Sequence, residues 1–111
     1  MSASKIFVTP SSTVAAHRIV RTLGLAKGNT IRARHLGKDI VAVFKNIVGG
    51  EIEEYTKMMA ESREQAIDRM VAEAKQLGAD AVLDMRFGTS YIMGMASEIM
   101  SYGTAVLLEP D

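Results

Sequence analysis

Apolar residues change their spacing several times along this 111-residue chain, and each change marks an element. "KIFV" (5–8) is a short apolar run closed by Thr9-Pro10 and the polar cluster "SST", which predicts a brief strand. "HRIVRTLGLAKGNTIRAR" has two readings. Ala16, Ile19, Val20 and Leu23 fit helical spacing with Gly24 as a C-cap. Thr22 to Leu25 and the alternation around Ile31 and Ala33 suit a strand hairpin turning at Lys27-Gly28-Asn29, and strands are the preferred reading. From Gly37 the period lengthens: Ile40, Phe44, Ile47 and Val48 predict a short amphipathic helix ending at Gly49.

A longer helix is predicted from Glu51 to Leu77. Its apolar stripe is Ile52, Tyr55, Met59, Ala66, Met70, Ala74 and Leu77. Its wet face is the four-spaced row Glu53, Lys57, Glu61, Gln65, Arg69, Glu73, in which Arg69–Glu73 is one of three possible pairs. Acids in the first turn and Lys75 in the last suit the helix dipole, and Gly78 occupies the usual capping position. Three strand-like segments follow. "ADAVLDMRF" sets Ala81, Leu83, Met85 and Phe87 against Val82, Asp84 and Arg86. "SYIMGMASEIMSY" carries Gly94 as a bend, and "GTAVLLE" is a continuous apolar run of the kind covered on both faces. The expected fold is one α+β domain over 1–111, a two-layer arrangement of an antiparallel sheet with a short and a long helix on one face.

The long helix bears on assembly. At ~1.5 Å per residue it reaches ~40 Å, whereas a compact domain of this size is only ~34 Å across. A second copy is the simplest cover for the surplus stripe. Charge points the same way: residues 1–50 hold eight Lys/Arg and one acid, residues 51–111 five Lys/Arg and twelve acids, within a net charge of zero. Opposite charges on different surfaces favour head-to-tail contacts, which close as rings. No aromatic residues alternate with the basic ones to stack bases, so nucleic acid is not an expected partner; Phe7 and Phe44 read as core. No apolar run is long enough to span a membrane. The first residues lack a signal-peptide core, which places the chain in the cytoplasm.

Gly49-Gly50 precedes a helix start and invites a phosphate-loop reading. Glu51, Glu53 and Glu54 already crowd that positive end, and no lysine and hydroxyl follow at the required spacing, so the two glycines are read as a helix joint. The chain has no cysteine, which removes thiolate ligands and nucleophiles. His17 and His35 lack the spacing that sets two imidazoles on one helical face, and both read as surface histidines. There is no nucleophile elbow, and no enzyme activity is expected. Eight methionines read as core or interface packing rather than a thioether site for Cu(I). The polar cluster of interest is Asp84, Arg86, Glu98 and Tyr102, with Ser97 and Ser101. Glu98 on an apolar strand needs a partner; Arg86 is the favoured one, and convergence of Asp84 with Glu98 on a hard cation is the alternative.

"IVGGE", "LGADAV", "RF.TS" and "SYGTAV", together with "VTPSSTVAAHRIVRTLGL" and "KGNTI", resemble the YbjQ-like family almost end to end. Its customary label is heavy-metal binding. The resemblance implies a dodecin-subunit-like α+β fold, self-association as a homopentameric ring, and no established enzyme activity. Gly49, Gly50, Tyr55, Gly78, Arg86, Phe87, Thr89, Ser90, Glu98, Tyr102, Gly103 and Thr104 are the matching positions. The function expected is therefore a ring that binds a metal ion. The alternatives are a small-molecule carrier at subunit interfaces and a purely structural oligomer.

Overall fold

The computed structural model of the protein describes residues 5–31, 51–92 and 95–111. Strands β1 (Phe7–Val8) and β2 (His17–Ile31) precede helix α1 (Glu51–Gln76), and β3 (Ala81–Ile92) and β4 (Met95–Pro110) follow it. The four strands form one sheet in the order β1-β3-β4-β2. The predicted short helix over 40–48 and the Gly49-Gly50 joint lie outside the described residues. Among the described residues one helix packs on the sheet.

The sheet is mixed, not antiparallel throughout. β3–β4 and β4–β2 run antiparallel, but β1 joins β3 in parallel through Phe7↔Ala81 and Val8↔Val82. A two-residue strand has no pattern that could reveal its direction. The expected hairpin at Lys27-Gly28-Asn29 is also absent: these residues lie inside β2, paired with Tyr102, Ser101 and Met100. β2 instead bends at two bulges, between Ile19 and Arg21 and between Thr22 and Gly24. The three C-terminal strand segments are two long strands, with "GTAVLLE" the second half of β4.

Small residues set the distance between the layers. Ala26, Gly28 and Thr30 of β2 and Ser101, Gly103 and Ala105 of β4 are buried beneath α1 or beside it. A Cβ on Gly28 would stand 2.2 Å from the Met70 amide nitrogen and 2.5 Å from the Ala66 carbonyl oxygen. The helix backbone thus rests almost on the strand backbone, and glycine is needed there for space, not for a turn. Thr30 Oγ1 reaches the Ser62 carbonyl oxygen at 3.4 Å and Ser101 Oγ reaches Met70 Sδ at 3.2 Å. The stripe Ala66, Met70, Ala74 is fully sealed by its own chain, as its spacing predicts, whereas Leu77 stays 41% exposed.

A second, smaller core forms on the other face, where Ala81, Leu83 and Val106 pack with Val14 and Leu108. The expected alignment of Ala81, Leu83, Met85 and Phe87 on one face breaks at a bulge between Leu83 and Arg86. Met85 joins Val82 in the main core under the helix. Asp84 takes φ +54° at the bulge, a left-handed conformation uncommon for a residue with a side chain. Phe7, expected in the core, is 53% exposed.

Candidate functional site

On the sheet face turned away from α1, alternation places Arg86, Gly88 and Ser90 of β3 beside Tyr102, Met100 and Glu98 of β4. Lys27 and Asn29 of β2 complete this face opposite Tyr102 and Met100. Arg86, Glu98 and Tyr102 therefore do share one surface, but they do not form one constellation. Arg86 pairs in register with Tyr102, so Glu98 lies four residues farther along β4, or ~13 Å at strand rise. The expected Arg86–Glu98 ion pair is not made. Glu98 accepts hydrogen bonds from Asn29 Nδ2 at 3.0 Å and from Ser90 Oγ at 3.1 Å, one on each carboxylate oxygen. Arg86 Nη1 donates to the carbonyl oxygens of Pro10 (3.1 Å) and Met85 (2.9 Å).

Asp84 is engaged elsewhere, so it does not converge with Glu98 on a cation. Its carboxylate accepts from Ser12 Oγ at 2.7 Å, and its backbone amide donates to the Ser11 carbonyl at 3.0 Å. With Met85 N bonded to the Thr9 carbonyl at 3.1 Å, Asp84 and Arg86 clamp segment 9–12 over the bulge. Their role in this chain is to hold that segment in place. The donor set suits a heavy metal poorly: both Glu98 oxygens and an Asp84 oxygen already accept hydrogen bonds, and the described residues hold no group of three His, Cys, Asp or Glu able to surround an ion.

The sheet edges show what the polar cluster does not. β2 is an edge strand of 15 residues. Arg69 and Glu73, expected to pair along the helix, turn to this edge instead. Arg69 Nη1 donates to the Asn29 carbonyl at 2.6 Å, and Glu73 Oε1 accepts from the Lys27 amide at 3.1 Å. Two side chains thereby occupy backbone groups that a neighbouring strand would otherwise take. From His17 to Leu25 no such cover is present among the described residues, and Ile19, Val20 and Leu25 are exposed there. At the opposite side of the sheet, β1 covers β3 only at Ala81 and Val82. From Arg86 to Ile92 the outer side of β3 has no strand partner among the described residues, and Phe87 and Tyr91 are exposed along it.

No single sequence motif marks these edges, and the residues that line a hollow at one end of the sheet, among them Phe7, His17 and Asp80, are also without a motif. They lie too far apart in sequence for spacing to link them.

A family model described as "Putative heavy-metal-binding" matches residues 6–109. A UPF0145 protein of Dehalococcoides mccartyi is 58% identical over 104 residues, covering 94% of this chain and 100% of that one. A UPF0145 protein of Archaeoglobus fulgidus is 54% identical, with 94% and 96% covered, and one of Pyrococcus abyssi 53% identical, with 96% and 93% covered. Among solved structures, a protein of unknown function from Pediococcus pentosaceus, assigned to the DUF74 family, aligns with a TM-score of 0.55 at 17% identity over 94% of this chain and 98% of that one. That likeness concerns the fold alone.

Proposed function

This chain belongs to the YbjQ-like, UPF0145 family, and from that premise we propose that it is a self-assembling cytoplasmic binding protein, not an enzyme, whose copies join edge to edge into a closed ring of five. One observation carries the reading. Among the described residues, the buried hydrophobic set consists of six alanines and only five larger side chains, Met70, Val82, Leu83, Ile99 and Val106. Seven large hydrophobics among the described residues stay exposed: Phe7, Ile19, Val20, Leu25, Leu77, Phe87 and Tyr91. A chain that exposes more large apolar side chains than it buries has left part of its core to be completed by association.

The shape supports the same reading. The Cα radius of gyration is 17.2 Å and the extents are 56 × 25 × 22 Å, against ~13 Å for a compact domain of this length. The uncovered edges belong to different strands on opposite sides of the sheet. Contact between the 17–25 edge of one copy and the 86–92 edge of the next is heterologous, and a heterologous contact closes as a ring or continues as a filament. Sedimentation velocity tests this reading: the wild type is expected as one oligomeric species, and Val20→Glu with Leu25→Glu as a monomer that keeps the wild-type circular dichroism. A wild type that sediments as a monomer at micromolar concentration overturns it.

The heavy-metal reading calls for donors beyond the described residues of one chain, such as those of a second copy, because the described residues do not assemble a set. Calorimetry with Zn(II) and Cu(I) on the oligomer and on Glu98→Ala tests it. Stoichiometric uptake lost in the variant supports a shared site; no heat in either leaves the ring as a carrier of other ligands or as a purely structural assembly.

A further inference from the structure

At the end of the molecule distant from the β3–β4 connection, the chain forms an open hollow of about 460 Å³ lined by Phe7, Val14, His17, Asp80, Leu108 and Pro110. An adjoining hollow of about 310 Å³ shares Phe7 and Asp80 and adds Lys5, Ile6 and Val8. The first lies within the usual range for small-molecule sites. Its walls are aliphatic or aromatic except at two points, and those two points have unused acceptor capacity.

The first is His17. Its Nδ1 stands 2.8 Å from the Ala15 carbonyl oxygen. A carbonyl only accepts, so Nδ1 carries the hydrogen, and in the neutral ring Nε2 keeps its lone pair. Local backbone holds this geometry: Ala16 takes φ +61°, His17 N bonds to the Val14 carbonyl, and the Ala16 carbonyl accepts from Asp111 N. The second is Asp80. One carboxylate oxygen accepts from the Leu108 amide at 2.9 Å; the other has no hydrogen-bond partner among the described residues, nor does Asp80 form an ion pair there. The ion pair found among the described residues is Arg18–Glu109, and Lys5 does not close on Asp80. Beside both, the Phe7 ring is half exposed.

A carboxylate with a spare oxygen, an imidazole lone pair and an accessible aromatic ring all complement a flat, donor-rich cation, since the ring attracts positive charge to its face and the two acceptors take N–H groups. The apolar walls suit an organic body and not a hydrated metal ion. We propose that this hollow binds a small organic cation with a planar apolar body, of the aryl-amidine or aromatic-amine class, with Asp80 pairing the cationic head, His17 accepting a second N–H and Phe7 stacking on the body. All six lining residues of this site come from one chain.

NMR titration of the full-length protein with benzamidine, with neutral benzamide and with zinc chloride as comparison probes, tests the assignment. Benzamidine is expected to shift the His17 ring and Leu108 amide signals saturably, and benzamide is not. Asp80→Asn keeps an acceptor for the Leu108 amide and should weaken benzamidine by about tenfold or more, the scale of a lost charge-assisted bond. Phe7→Ala, at an exposed position, should weaken it without unfolding the protein. The proposal is overturned by no saturable shift, by equal binding of benzamide, by an Asp80→Asn variant that binds like wild type, or by zinc saturating His17 where benzamidine does not. Hollow signals that respond to protein concentration and not to benzamidine would show a second copy seated on Phe7, which also overturns it.

Discussion

Replacing Gly28 with alanine places a methyl group where the helix backbone already stands. The new Cβ would sit 2.2 Å from Met70 N, 2.5 Å from Ala66 O and 2.6 Å from Arg69 C. Carbon contacts are comfortable at about 3.5–4.0 Å, so α1 and β2 must separate by more than about 1 Å at this point. No rotamer change can relieve the clash, because every atom it meets is backbone. Overpacking of a core ordinarily costs about 1–3 kcal/mol. Here the displaced layers also loosen the packing of Met70 and Ala74 and the two links from Arg69 and Glu73 to β2, so a loss of about 3 kcal/mol or more is expected. For a domain of this size that lowers Tm by about 12 °C or more. Gly88→Ala is the control, since its Cβ would meet only flexible side-chain ends, Met100 Cε at 3.7 Å and Tyr102 Cε1 at 3.8 Å, and it should unfold within about 1 kcal/mol of wild type. Urea unfolding followed by circular dichroism, at matched protein concentration, measures both. If Gly28→Ala matches Gly88→Ala, the account of small residues setting the interlayer distance is wrong.

Truncating the fully buried Met70 to alanine removes a large core side chain and the Ser101 contact, for an expected loss of about 2–5 kcal/mol by the same unfolding measurement. Ala16→Gly relieves a left-handed residue with φ +61° and should raise stability by about 0.5–1 kcal/mol; a fall in Tm would show that the methyl group packs usefully. Glu73→Ala frees the Lys27 amide, so its hydrogen exchange should accelerate while exchange at Ala105, in the middle of β4, is unchanged. Breaking the Arg18–Glu109 pair, exposed in the single chain, with Arg18→Ala should cost less than about 1 kcal/mol in the Val20→Glu, Leu25→Glu background by urea unfolding, and a larger loss there would show that the pair does more than an exposed ion pair can.

The helix was legible almost to the residue because a repeated apolar stripe and a capping glycine mark it: the spacing indicates Glu51 to Leu77, and α1 ends at Gln76. Strand character was readable in the segments 79–87, 90–102 and 103–109, but not that they make two long strands, and facing was not readable either, because one bulge residue, Asp84, reverses which side chains point at the helix. β2 was misread at its centre. Glycine and asparagine after lysine resemble a turn in sequence, yet Gly28 is there to admit the helix backbone, a demand that arises far along the chain at Ala66, Arg69 and Met70. The candidate polar cluster was half legible. Alternation placed Arg86, Glu98 and Tyr102 on one face, but register determines which of them touch, and register depends on bulges that no local pattern announces. The hollow at Phe7, His17 and Asp80 joins three distant segments, and Phe7 looked like core because nothing in a four-residue apolar run tells an edge strand from a central one.

Native mass spectrometry of protein purified without chelator measures the central claim most directly. Edge-to-edge assembly predicts a single closed species that collapses to one chain in the Val20→Glu, Leu25→Glu variant, and the ring of five that the family resemblance implies puts that species at about 60 kDa for chains of 12.0 kDa. A wild-type spectrum dominated by the 12.0 kDa chain, at concentrations where the protein is folded, would contradict it.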